Sequence, residues 1–185
     1  MEFTLFYRGE LKSKGSPTDK QKIRRAFHPQ LKKLWELEPL NDHKSYIEPS
    51  SENDICLLEQ IGDFTFAPLI SSRLSLVAEL DITLLRPEEP GTILIQCGDI
   101  DNRLKTLFDA LSVPAHENQL PSSDSQKSDE IPLFCLLQDD RLITKVTVRT
   151  DRLLLNDCTT DKEVVILIQT RTKVTKHIWG NMHFT

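Results

Sequence analysis

Apolar side chains recur at two different periods along this chain, and the changes of period mark its elements. In the stretch from Ile100 to Leu111, the residues Ile100, Leu104, Leu107, Phe108 and Leu111 form one stripe of a helix facing a core. Leu74, Leu76, Ala78, Leu80, Ile82 and Leu84 instead alternate with Ser75, Val77, Glu79, Asp81 and Thr83, the pattern of a half-buried strand. Residues 2–8 read as an opening strand and 141–150 as a later one, with Val146 and Val148 inward and Lys145 and Arg149 outward. The apolar run Val164-Val165-Ile166-Leu167-Ile168 places a last strand over Glu163 to Val174. Ser16 as cap and Pro17 in the first turn start a helix running from about Thr18 to Leu37, which Pro29 is expected to kink or divide.

Two segments break these periods. From about 36 to 70 the charge turns acidic, with Glu36, Glu38, Asp42, Glu48, Glu52, Asp54, Glu59 and Asp63 opposed mainly by Lys44. This reads as a surface insertion, mostly loop, with a short helix around Asn53 to Ile61. Between about 114 and 130 the chain is Ser-rich and acidic, which predicts a mobile loop. Thr92 to Gln96 is read as a short strand leading to Asp99.

The acidic helix holds the candidate chemistry. Asp99 follows Gly98 as a helix cap, yet Asp101 and Asn102 add oxygens within the same turn, more than capping requires. Carboxylates crowded in this way repel one another unless a hard divalent cation such as magnesium takes their charge. Lys105 lies one turn further along the Asp101 face, where it can approach a phosphate oxygen or a developing charge. The pair Asp139-Asp140 precedes a strand and by itself reads as a turn.

Taken together, Asp99-Ile100-Asp101-Asn102, Lys105, Phe108-Asp109-Ala110-Leu111 and then Asp139-Asp140 resemble the signature of the RusA-type Holliday-junction resolvases. The likeness covers roughly residues 74 to 150; it weakens at Glu88-Glu89, where related chains carry basic residues. It implies a small α+β domain, a mixed β-sheet with helices packed on it and loop insertions, spanning 1–185 and pairing as a homodimer. It also implies that Asp99, Asp101 and Asp140 bind magnesium (one or two ions, with manganese as a substitute) and that Lys105 assists catalysis. Asn102 and Asp139 would steady the carboxylates. The expected reaction is hydrolysis of phosphodiesters in branched DNA.

Composition modifies this picture. The 185 residues carry a formal net charge of −5, which opposes a general nucleic-acid binder. Positive charge is nonetheless clustered: Lys12, Lys14, Lys20, Arg24 and Arg25 lie near the first helix, and Arg103, Arg141 and Lys145 near the acidic residues, as candidate phosphate contacts. The alternative is a non-catalytic interaction protein on the same fold, using the acidic insertions to bind protein partners; a metal-dependent nuclease acting on other DNA or RNA is a further one. Four cysteines without a C-x-x-C spacing point to free thiols. The absence of a long apolar run or a basic leader gives a cytoplasmic, membrane-free expectation. Phe27, Trp35, Trp179, His177 and His183 read as packing or tail residues.

Overall fold

In chain order the protein forms β1 (Glu2–Glu10), α1 (Pro17–Leu34), a 3-10 segment (Leu40–Ile47), β2 (Glu59–Ile61), β3 (Phe64–Ile70), β4 (Leu76–Arg86), α2 (Ile100–Leu111), β5 (Leu133–Leu137), β6 (Ile143–Arg152) and β7 (Glu163–Val174). This computed structural model describes residues 1–48, 55–87, 100–154 and 163–184. The result is a mixed α+β fold with two small sheets. One has strand order β1-β7-β4-β6, with β4 and β6 parallel and the other pairs antiparallel; the other has order β2-β3-β5.

The period-two strand becomes the centre of the larger sheet. Leu76, Ala78, Leu80, Ile82 and Leu84 of β4 are all buried, as alternation requires of a strand with one face on the core. The register continues that face across the sheet, so that Leu5, Ile168, Ile82 and Val148 form one row. Val146 lies in the neighbouring inward row with Leu80 but is 40% exposed, because β6 is the edge strand and the helical layer does not fully cover it. The opposite face carries a row of alternating charge, Glu2, Arg171, Glu79 and Lys145.

Helix α1 begins as its sequence requires. Ser16 accepts from the Asp19 backbone while the Asp19 carboxylate accepts from the Ser16 backbone, a reciprocal cap with Pro17 inside it. The helix runs unbroken through Pro29, which sits on the exposed side where a missing hydrogen bond can be made good by water. Ile23, Phe27, Leu31 and Trp35 form its buried stripe.

The segment around 36–70 differs from the expected surface insertion. Leu40, Leu57, Phe66, Ala67, Leu69 and Ile70 are fully buried, and β3 is the middle strand of the smaller sheet. Its run Phe64-Thr65-Phe66-Ala67-Pro68-Leu69-Ile70 is enclosed on both faces and therefore lacks the alternation that identifies a half-exposed strand. Pro68 is tolerated because β2 pairs with β3 only as far as Phe66. Of the helix expected over Asn53 to Ile61, residues 55–58 have no regular structure and 59–61 form β2, while Asn53 and Asp54 lie outside the described residues, as do Thr92 to Gln96, Glu88-Glu89, Cys97 and Cys158. Cys56 and Cys135 are free thiols. No described helix is long and apolar enough to cross a membrane.

Candidate active site

The apolar stripe of α2 sets which of its side chains face outward. Leu107, Ala110 and Leu111 are buried against α1 and β5, leaving Asp101, Lys105 and Asp109 on a separate face at successive four-residue steps. Asp101 and Lys105 are exposed and Asp109 is half-buried. The Lys20 ammonium from α1 lies 2.7 Å from the Asp109 carboxylate, so this pair joins the two helices.

The other acidic pair is delivered by β5, whose five residues are all buried. At its end Gln138 acts as a fastener. Its Oε1 accepts from the Ser71 hydroxyl and from the backbone N–H and hydroxyl of Ser72, while its Nε2 donates to Glu59 at 2.7 Å. The next residue, Asp139, caps a single 3-10 turn, accepting from the Arg141 backbone at 2.9 Å and from the Arg141 guanidinium at 2.8 and 2.9 Å. These bonds hold the Asp139 carboxyl below the usual carboxylate range.

Asp140 has the opposite electrostatics. Partial enclosure, then the nearby Asp139 and Asp109 carboxylates, raise its carboxyl above the ordinary value, and Arg141 offsets this only in part. Asp140 thus lies within electrostatic reach of Asp139 and of Asp109, in the C-terminal half of α2. Asp101 stands two turns away toward the start of the helix, about 12 Å of helix rise from Asp109. Asp99, the first of the expected ligands, lies outside the described residues. Among the described residues, no group of three or more His, Cys, Asp or Glu side chains could hold a metal ion. The donors that are described are nevertheless hard carboxylate oxygens, and the negative charge gathered at Asp140 is of the kind a divalent cation relieves. Asn102 is half-buried in the first turn of α2 beside Asp101.

The candidate phosphate contacts are mostly engaged within the chain. Arg24 cannot reach a ligand: it is 2% exposed and donates to the backbone carbonyls of Ser112 and Asp109 and to the Gln21 side chain, closing the C-terminal end of α2. Its sequence neighbourhood is basic, but its position on the buried stripe of α1 turns it inward. Arg25 instead ties down the Ser-rich segment, donating to Glu130, Asp124 and the Ser125 carbonyl. That segment carries short 3-10 turns, at Glu117–Gln119 and Ser128–Glu130, and Lys32 also donates to it at the Asp129 carbonyl. Lys12 pairs with Asp19 at 2.8 Å and pulls the Asp19 carboxyl down to about 2. Arg103 donates to the Leu11 carbonyl, and Arg141 to Asp139. Lys14 and Lys145 are exposed.

Two participants were not legible in the sequence. Asp109 shares the four-residue spacing of Asp101 and Lys105, but only the fold shows that Asp140 meets that end of the helix. Gln138 had no local signal at all, since its partners lie 66 to 79 residues away. A scan against protein-family models and searches of curated proteins and of solved structures return no match.

Proposed function

We propose that this chain is a magnesium-dependent endonuclease that hydrolyses phosphodiesters in branched DNA, in the manner of the RusA-type resolvases, acting in the cytoplasm as a homodimer. The observation that carries the reading is the carboxyl of Asp140, raised by enclosure and by neighbouring carboxylates, beside a helix with exposed Asp101 and Lys105 and half-buried Asp109 on one face. Acids perturbed by enclosure together with specific neighbouring charges cluster at functional sites. By the resemblance, Asp99, Asp101 and Asp140 would hold the ion, with manganese able to replace magnesium; Asp101 would have to reach it from two turns along α2. Such an ion, when bound, activates a water and offsets charge on the phosphoryl group.

The chain's own groups supply the remainder. The ammonium of Lys105 is exposed between Asp101 and Asp109 and stabilises negative charge on the phosphate undergoing attack. Lys20 neutralises Asp109 and so limits the repulsion that Asp140 experiences. Gln138 and the Asp139 cap hold the turn in place, while Lys14 and Lys145 remain open to phosphates. Symmetric cutting of a four-way junction requires two such sites, which a homodimer provides.

A second reading is favoured by a specific observation. Lys12, Lys20, Arg25 and Arg141 are all paired with acids of the same chain and Arg24 is buried, which suits a non-catalytic module that binds protein partners. Labelled four-way junctions, flaps, duplexes and single strands, incubated with magnesium or with chelator, separate the two. The nuclease reading expects junction cutting that needs magnesium and falls about 100-fold or more in Asp101→Asn, Asp140→Asn and Lys105→Ala. Metal-independent cutting, or full activity in Asp101→Asn, overturns the site; inertness toward every substrate favours the interaction module.

A further inference from the structure

The tail after β7 ends in a turn that is rigidly built yet displays an aromatic ring to solvent. Trp179 is 90% exposed, whereas the other tryptophan, Trp35, is 2% exposed. Its turn is anchored by Asn181, which is fully buried: the Asn181 amide donates to the carbonyls of Leu74 and Lys176 and accepts from the Ile178 N–H. Gly180 is packed so closely that a Cβ there would lie 2.5 Å from the Ile55 side chain, and the Tyr46 hydroxyl donates to its carbonyl. A tail residue that merely packs would turn inward; here the interior of the turn is filled by Asn181 and Gly180, and the indole is presented outward.

The surroundings are mixed in charge, with lysine and arginine outnumbering the acids. Lys176 and His177 are exposed beside Trp179, and a groove of about 550 Å³ lined by Glu2, Arg171, Thr172, Lys173 and His177 adjoins them. Arg171 donates to Glu2, and Arg171 and Lys173 also lie near Glu79, at 3.6 and 3.9 Å, so the free positive charge is concentrated at Lys176. The position relative to Asp140 is fixed by residues 71–75. Gln138, which precedes the Asp139-Asp140 turn, bonds to Ser71 and Ser72, and Asn181 bonds to Leu74.

We infer that Trp179 is a stacking platform for an unpaired base of single-stranded DNA, with Lys176 and His177 receiving the adjacent phosphates. Aromatic faces accept any base, and flanking cations track the backbone. This deepens the nuclease reading, on which it rests for the identity of the polymer.

The test is a fluorescence titration of the full chain carrying Asp140→Asn, in chelator, with oligothymidylate and with a blunt duplex. Oligothymidylate quenches the exposed indole while buried Trp35 is unaffected. Trp179→Ala weakens binding, read by anisotropy of labelled oligothymidylate, about tenfold, Trp179→Phe restores most of it, and Lys176→Ala flattens its salt dependence. Absence of quenching, equal affinity in Trp179→Ala, or preference for the duplex overturns the platform; a tryptophan reserved for a protein partner gives the second of these results. Junction cutting without quenching rejects the platform and leaves the nuclease reading standing. Quenching without cutting by the unmutated chain does the reverse.

Discussion

Arg24 donates from both Nε and Nη2 to the main-chain carbonyl of Ser112, 88 residues further along the chain. With its third contact, to the Asp109 carbonyl at 2.9 Å, this guanidinium closes the C-terminal turn of α2 and seats the helix on α1. A buried cation suits the negative end of a helix dipole, and five fixed donors let arginine serve several carbonyls at once.

Replacing Arg24 by alanine is therefore expected to remove about 2–4 kcal/mol of folding stability, because the carbonyls stay buried without donors. Arg24→Lys recovers only part of this, since one ammonium cannot span both carbonyls. Urea denaturation of the two variants checks the prediction; wild-type stability in Arg24→Ala would show that the bonds contribute nothing net.

Arg25 holds the Ser-rich segment through three groups, of which Glu130 has only 6% of its side chain exposed. Removing the guanidinium leaves this carboxylate with Lys127 at 4.0 Å as its nearest cation. Arg25→Ala should cost about 2 kcal/mol and open residues 121–130 to protease and to amide exchange. Unchanged exchange in that segment would contradict the assignment.

His28 supplies the pH dependence. The Phe134 N–H donates to its Nδ1 at 3.0 Å, which requires the neutral ring, and burial lowers its pKa below the usual histidine value. A group depressed in the folded state stabilises the fold above its unfolded pKa, about 6.5, and loses that contribution as pH falls through the folded value. Stability should thus decline from pH 7 toward pH 5, in part through His43, whose pKa is also lowered by burial. In His28→Gln, whose amide oxygen can accept from Phe134, the decline should be shallower; an identical pH profile would exclude His28 as a source.

Asp140 carries the opposite sign. Its raised pKa means that ionisation works against the fold, so its favourable contribution is complete at low pH and disappears as pH rises through the folded value. Asp140→Asn should be more stable than wild type at pH 7, by a margin on the order of 0.5 kcal/mol after solvent screening, with the difference vanishing below about pH 4. Thermal denaturation with and without magnesium extends the test: the ion should raise the midpoint of wild type and leave Asp140→Asn unmoved.

How much of this was readable in advance divides by range. The core stripe of α2, the alternation of β4 and the Ser16–Asp19 cap arise from contacts within a few residues, and each is visible in the residue order. The smaller sheet was missed because β3, covered on both faces, carries no periodic signature. The basic cluster near α1 looked uniform in sequence, yet the turn of the helix sends Arg24 into the core, Arg25 to Glu130 and Lys20 to Asp109. Trp179, which the sequence leaves as a packing or tail residue, stands in solvent because Asn181 and Gly180 already fill the space beneath it.

From residue order alone came the two helices and the strands of the larger sheet, the acidic helix with Lys105 on the Asp101 face, and the expectation of a cation-dependent reaction. These rest on local period and on the chemistry of side chains, which a chain carries before it folds. The tertiary structure alone decided where Lys20, Arg24 and Arg25 find their partners, that Asp140 feels Asp109, and which aromatic ring is displayed. Most of these outcomes depend on residues some 90 to 110 positions apart coming into contact, as in the bond from Asn181 to Leu74 across 107 positions, and such contacts leave no trace in local spacing.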